Sequence, residues 1–298
     1  MTPMHSLSEV RTIAIVGLGL MGGSLGLALR QAGLSQAGLV GYARNPDVAA
    51  RAVRIGAVDR TGDSIAAAVD GADVVVLATP TLAMREIMQQ IAPHLKAGCT
   101  VTDTASTKTQ VMEWAQRYLP AAVSFVGGHP MAGKESAGID VAEAGLFQGC
   151  TYCLVPGRSA SQASADLMVE LVGRIGAGPL FLTAPKHDEF VAGISHLPFI
   201  LSSSLVSATT QNPLWHEMSR LAATGYRDIS RLASQNARMN RDICLTNREN
   251  ILFWIDEFAG ELARFRQLVS EGSEELEGAF LTAQRARKTW LDGYGKRS

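Results

Sequence analysis

From Arg11 to Ile175, short β-branched apolar runs alternate with amphipathic stretches, which predicts strands and helices in turn. Strands are expected at Arg11–Gly17, Leu39–Ala43, Ala72–Thr79, Thr100–Thr102, Ser124–Gly128 and Thr151–Val155. Ala72–Thr79 is apolar at almost every position, as a strand buried on both faces must be. Helices are expected from Gly23 to Arg30, over Pro46–Gly56, Ser64–Ala68 and Leu82–Leu95, from the Lys108 loop to Tyr118, and over Ser161–Ile175. This β-α-β rhythm predicts a doubly wound, mostly parallel sheet. After about Leu182 the strand signals stop, and helical periodicity covers Pro185–Thr209, Pro213–Thr224, Tyr226–Ala233, Ala237–Leu268 and Glu274–Leu291. Phe253, Trp254, Phe258, Leu262 and Phe265 are spaced as one face of a long helix, which suits a core or a dimer contact.

A chain of 298 residues exceeds the usual single core. The expected division is an α/β domain over residues 1–183 and an all-helical C-terminal domain over residues 184–298. Net charge is −1, and each part is close to neutral, with 13 basic and 14 acidic residues before residue 183 and 14 of each after it. A nucleic-acid partner is therefore not expected. The N-terminus is short and polar, and no uninterrupted apolar run approaches the ~18 residues of a membrane span, so a soluble, cytoplasmic protein without a membrane partner is expected. Cys150 and Cys153 form a C-x-x-C pair, but positions three apart on a strand point to opposite faces. No second pair completes a metal site, and none is expected.

The first strand runs into Gly17-Leu18-Gly19-Leu20-Met21-Gly22 and then a helix, the setting in which a G-x-G-x-x-G motif binds a dinucleotide. Gly17 makes the tight turn, Gly19 admits the pyrophosphate to the backbone, and Gly22 lets helix and strand pack closely. This identifies the first domain as Rossmann-type. At the end of the second strand an NAD site places an acid on the ribose hydroxyls. Here Ala43 takes that position, with Arg44 and Asn45 following, an arrangement suited to a 2′-phosphate, so NADP is expected over NAD.

Ligands of open α/β sheets bind at the carboxyl ends of the strands. Three strand-end loops carry polar residues there: Thr79-Pro80, Asp103–Lys108 with Ser106, and Gly127–Gly138 with His129 and Glu135. Pro130 biases His129 toward extended backbone. Neutral histidine suits removal of a hydroxyl proton during hydride transfer, and Ser106 can orient the same hydroxyl or cap the helix that follows. His5 lies in the polar terminus, and His94, His187 and His216 fit solvated helix positions. His196 lies in an apolar helix kinked by Pro198, where a core histidine and a site residue are both open. Six arginines and no lysine occur between Arg220 and Arg248, which favours bidentate carboxylate recognition. Asp228 and Arg231 share one helical turn and can pair.

Gly17–Ser24, Asp103–Lys108, Gly128–Gly133, Ser195–Pro198 and Arg227–Ala233 together resemble the prephenate/arogenate dehydrogenases of tyrosine biosynthesis, in order from about Arg11 to Phe258. The resemblance implies oxidative decarboxylation of a cyclohexadienyl substrate. His129 would accept the ring hydroxyl proton, with Ser106 assisting. Arg231 would bind a carboxylate, His196 would line the site, and Glu135 and Asp228 would join Arg231 in an ionic network at its entrance. The helical domain would form a homodimer and close the cleft. Ala43 departs from the NAD pattern and matches the NADP-preferring branch. NADP use points toward arogenate, whose ammonium Glu135 or Asp140 would meet. A rival reading is a β-hydroxyacid dehydrogenase of the 6-phosphogluconate or 3-hydroxyisobutyrate type, which uses a lysine base; Lys186 is the one lysine between Lys134 and Lys288. A non-catalytic NADP-binding regulator is a further alternative.

Overall fold

The computed structural model describes residues 6–34 and 37–294, so the expectation for His5 lies outside the described residues. Eight strands form one sheet: β1 (Thr12–Val16), β2 (Gly38–Tyr42), β3 (Arg60–Thr61), β4 (Val74–Leu77), β5 (Thr100–Asp103), β6 (Ser124–Pro130), β7 (Thr151–Pro156) and β8 (Gly178–Phe181). Their order is β3-β2-β1-β4-β5-β6-β7-β8, the doubly wound arrangement extended at one edge. All pairings are parallel except β6 with β7. Helices α1 (Leu20–Gln31), α2 (Pro46–Arg54), α3 (Ile65–Val69), α4 (Met84–Ile91), α5 (Thr109–Tyr118) and α6 (Gln162–Arg174) connect the strands. Two apolar clusters bury the sheet faces, one around Ile13, Ile15 and Leu154, the other around Val75, Leu77 and Phe125.

After β8 the chain is helical: α7 (Ala184–Val191), a π turn (Ala192–His196), α8 (Leu197–Thr210), α9 (Trp215–Met218), α10 (Thr224–Ser230), α11 (Ala237–Thr246), α12 (Arg248–Glu271) and α13 (Glu275–Tyr294). The chain divides into two compact units, Met1–Arg248 and Glu249–Ser298. In the second, Phe253, Phe258 and Leu262 of α12 are exposed. Among the described residues, one helical run, Ala184–Thr210, is long and apolar enough by composition to cross a membrane. It carries His187, Asp188, His196 and Ser202, all buried and all in hydrogen bonds to other parts of the first unit.

Local chemistry explains the departures from the sequence reading. β3 has two residues and β8 contains glycine and proline on an exposed edge, so neither carries an apolar strand pattern; each forms by pairing with a neighbour. The helix expected over Ala237–Leu268 breaks at Asn247, which leaves helical geometry while its amide donates to the Asp188 carbonyl (2.7 Å). Pro198 stands in the first turn of α8, and the π turn just before it absorbs the disturbance a proline introduces.

The carboxyl ends of β5 and β6 are tied by one ion pair. Asp103 and Lys108, both fully buried, form a salt bridge. Asp103 also accepts from the amides of Ala105 (2.8 Å) and Gly128 (3.1 Å). A Cβ at Gly128 would lie 2.4 Å from the Asp103 carbonyl oxygen, so only glycine permits this approach. Asp103→Asn strands the Lys108 ammonium without a counter-charge, and we expect a loss of about 3–5 kcal/mol in unfolding free energy by urea titration. A loss below about 1 kcal/mol would show that the pair does not hold these loops.

Candidate active site

The turn between β1 and α1 fits a dinucleotide. Gly17 has φ +102°, and a Cβ there would meet the Ala78 carbonyl oxygen at 2.3 Å. A Cβ at Gly22 would lie 1.9 Å from the Gly17 carbonyl oxygen, so α1 packs against the turn only because that residue is glycine. At Gly19, by contrast, a Cβ would meet nothing within 4 Å: the space before the helix N-terminus is open. Gly19, Leu20 and Met21 face a cleft of about 680 Å³, whereas Leu18 is buried and packs beneath Gly41. Thr79 and Pro80, at the end of β4, form the neighbouring wall. The Gly17 amide donates to the Tyr42 carbonyl (2.9 Å), which brings the end of β2 beside the glycine turn. Ala43, Arg44 and Asn45 follow there. Arg44 is exposed and in no ion pair among the described residues, while Asn45 caps α2 by accepting from the Asp47 amide. Asp140 does not reach the cleft: its carboxylate binds Arg51 of α2 (2.9 Å).

Across the cleft, β6 delivers His129, which is 7% exposed and lines the same cavity as Ser106, Glu135 and Arg231. Its Nδ1 lies 2.8 Å from His187 Nε2, and His187 Nδ1 lies 2.8 Å from Asp188 Oδ1. Asp188 in turn accepts from the amides of Lys108 (2.7 Å) and Thr109 (2.8 Å). Burial, followed by the charges of His187, Lys108 and His196, holds the His129 pKa well below the usual histidine value. Burial pushes the Asp188 carboxyl upward, but its hydrogen bonds to His187, Thr109 and Lys108 prevail and keep it below the ordinary value.

Two expectations about histidines change. His187 is not solvated; it is fully buried and bonded to His129, because α7 turns its polar edge against the sheet. Lys186, beside it, is exposed and lies over the Phe190 ring, far from the role of a lysine base. His196 stands behind the cleft wall rather than on it: it is fully buried, whereas Ser195 and Phe199 face the cavity. Its Nδ1 meets the Asn247 amide (3.2 Å), and its Nε2 makes no hydrogen bond even though the nearby Ser106 carbonyl favours its protonated form. Burial outweighs both the Asp188 carboxylate and that carbonyl and lowers its pKa to about 4.

Arg231 begins a 3-10 turn that is fixed to α8 by the Ala233 amide donating to Ser202 Oγ (2.9 Å). Its guanidinium pairs with Glu135 at the cleft surface. Asp228 does not join that pair. It bonds Arg227 (3.2 Å) in an exposed position outside the cleft, since the helical turn points it away. Arg238, Asn236 and Met239 complete this wall. No group of three or more histidine, cysteine or acidic residues suited to a metal occurs among the described residues.

Two family models match the chain in succession: the nucleotide-binding domain of prephenate dehydrogenase over residues 25–178 and its dimerization domain over residues 183–282. Prephenate dehydrogenase of Bacillus subtilis is 34% identical over 279 residues, 93% of this chain and 75% of that protein. Cyclohexadienyl dehydrogenase of Zymomonas mobilis is 33% identical over 288 residues, 94% and 96% of the two chains. The crystal structure of A. aeolicus prephenate dehydrogenase in complex with hydroxyphenyl propionate and NAD+ superposes with a TM-score of 0.87 at 29% identity, covering 94% of this chain and 98% of that one. The glycine turn and the nucleotide-binding match make this a pyridine-nucleotide enzyme. Matched by both domain models along most of its length, the chain belongs to the prephenate dehydrogenase family.

Proposed function

We propose that this enzyme oxidatively decarboxylates arogenate or prephenate with NADP in preference to NAD, giving tyrosine or 4-hydroxyphenylpyruvate. One observation carries the reading: a histidine held neutral faces the cavity that runs from the α1 N-terminus to Arg231. Gly17, Gly19 and Gly22 shape the pyrophosphate site, Leu18 supports it from beneath, and Leu20, Met21, Thr79 and Pro80 flank the cofactor. Ala43 leaves room beside the ribose, and Arg44 and Asn45 take the 2′-phosphate. A pyridine nucleotide held there would supply the acceptor for the hydride of the ring carbinol carbon. His129 takes the proton of the ring hydroxyl, and Ser106 orients that hydroxyl. The ring carboxylate then leaves as CO2, and its bonding electrons complete the aromatic ring. Arg231 holds a substrate carboxylate by exchanging it for Glu135, which is then free to meet the ammonium of arogenate, the substrate we favour. His196 supports the Ser106 loop from behind, and Asp228 serves the outer surface. Residues 1–183 form the cofactor domain in this reading, and residues 184–298 bind substrate and join a second copy, whose contact covers exposed Phe253, Phe258 and Leu262. The setting is cytoplasmic.

Replacing His129 with Asn should lower kcat by about 10²–10⁴-fold while leaving NADP affinity within a few-fold. Full activity in that variant would sink the mechanism, and a wild type inactive on both cyclohexadienyl acids would favour a non-catalytic regulator. The depressed pKa of His129 also gives the pH profile a direction. The base is neutral above its pKa and lost as pH falls through it, so kcat/KM should persist through pH 6.5 and fall only at more acidic values. A limb centred at or above 6.5 would contradict the buried setting. For cofactor choice, Arg44→Ala should reduce the NADP-to-NAD ratio of kcat/KM by about 10–100-fold, the worth of one charge-assisted contact. Equal efficiency of the wild type with NAD would refute the preference.

A further inference from the structure

His187 and Asp188 do not line the cleft, yet both are buried and linked to His129. We propose that Asp188, through His187, fixes the tautomer of His129 so that Nδ1 carries the proton and Nε2 presents a bare lone pair to the cleft. This rests on the reading of His129 as the general base.

The chain of reasoning begins at Asp188. Its carboxylate faces two backbone N–H groups, of Lys108 and Thr109, and these can only donate. His187 Nδ1 approaches the same carboxylate at 2.8 Å. A lone pair there would oppose a buried anion, so Nδ1 must carry the proton. With His187 taken as the neutral ring, its Nε2 is unprotonated and accepts. His129 Nδ1, 2.8 Å away, must therefore donate, and the remaining ring nitrogen, Nε2, is unprotonated. The orientation is fixed twice more: Asn247 donates to the Asp188 carbonyl (2.7 Å), and the rings of His129 and His187 meet edge to face at 65°. Asp188 and His187 are thus positioning residues.

The titratable and charged groups around His129 are His187 and Asp188 on α7, His196 on the π turn, Asp103 and Lys108 beside β5, and Tyr152 and Cys153 on β7. Lys108 is already committed to Asp103, so it does not compete for the histidine chain. As His129 gains a proton at Nε2, the new positive charge is conjugate through His187 to the Asp188 anion. The relay therefore assists proton removal as well as orientation.

Nitrogen-15 NMR of the histidine side chains in the intact protein reads the tautomer directly, with His129→Asn supplying the assignment. At neutral pH we expect a protonated Nδ1 and an unprotonated Nε2 on His129; the opposite pattern overturns the proposal. Asp188→Asn removes the anion that holds the proton on His187 Nδ1, so the chain is free to reverse and place the His129 proton on Nε2. In that variant kcat should fall by about 100-fold or more with KM within about threefold, and the His129 pattern should reverse. Wild-type kcat with an unchanged pattern refutes the relay. If Asp188→Asn does not fold, the His187 pair decides: His187→Gln keeps an acceptor near Nε2 and should retain kcat within about tenfold, whereas His187→Leu should lose about 100-fold. Equal kcat in these two variants also refutes the relay. An inactive His129→Asn enzyme beside unimpaired relay variants separates failure of this proposal from failure of the general-base reading.

Discussion

A carboxylate buried at the end of β5 governs the geometry of the whole site. Asp103 receives one ammonium and two amides, one from its own loop and one from β6. Removing a carboxylate from water costs several kcal/mol, and only a close counter-charge with its other lone pairs satisfied offsets that. Those requirements fix where Lys108 enters and how near β6 must come. They also determine that residue 128 is glycine, since a side chain there would strike the Asp103 carbonyl. The Ser106 loop and His129 are consequently held by one arrangement of charge.

Lys108 extends the constraint into the helical segment. Its side chain serves Asp103, while its backbone amide serves Asp188, which supports His187 and hence His129. A polar seam thus runs from the sheet through α7 to Asn247, where the helical run breaks to supply a donor. An apolar core of the same volume would be easier to stabilise. The seam instead excludes solvent from a histidine while controlling each of its neighbours. Burial then has a chemical consequence: it disfavours the imidazolium and leaves the ring neutral.

The parts legible in the sequence are those where one residue type has few alternative uses. Gly17, Gly19 and Gly22 between a β-branched run and a helix indicate a dinucleotide turn, and the apolar run ending at Leu77 announces a central strand. His129 was legible because glycines and a proline surround it. His187 was not, because Lys186-His187-Asp188-Glu189 has the composition of a solvated helix turn; only docking against the sheet buries the middle two residues and leaves the outer two exposed. Asp228 and Asp140 show the converse. Both are acids near site residues in sequence, and both are committed to other arginines, Arg227 and Arg51. The Asp140 pair joins distant elements and so does not register in spacing, whereas the Asp228 pair is with its own chain neighbour. β8 likewise carries no apolar strand pattern and forms only beside β7.

The two ion pairs that frame the cleft suit opposite tasks because they differ in exposure. Arg231 and Glu135 retain 59% and 44% of their side-chain surface, and such a pair contributes about 0–1 kcal/mol. Asp103 and Lys108 retain none, and separating them would cost several kcal/mol. A substrate bound through a carboxylate must displace the protein carboxylate already held there. That exchange is feasible at Arg231, where water already screens both states, and prohibitive at Lys108. In our reading of the function, substrate therefore enters at the weak pair while the strong one keeps His129 in place. Rigidity beneath the chemistry and ease of replacement at the entrance arise from the same kind of bond, separated by access to solvent.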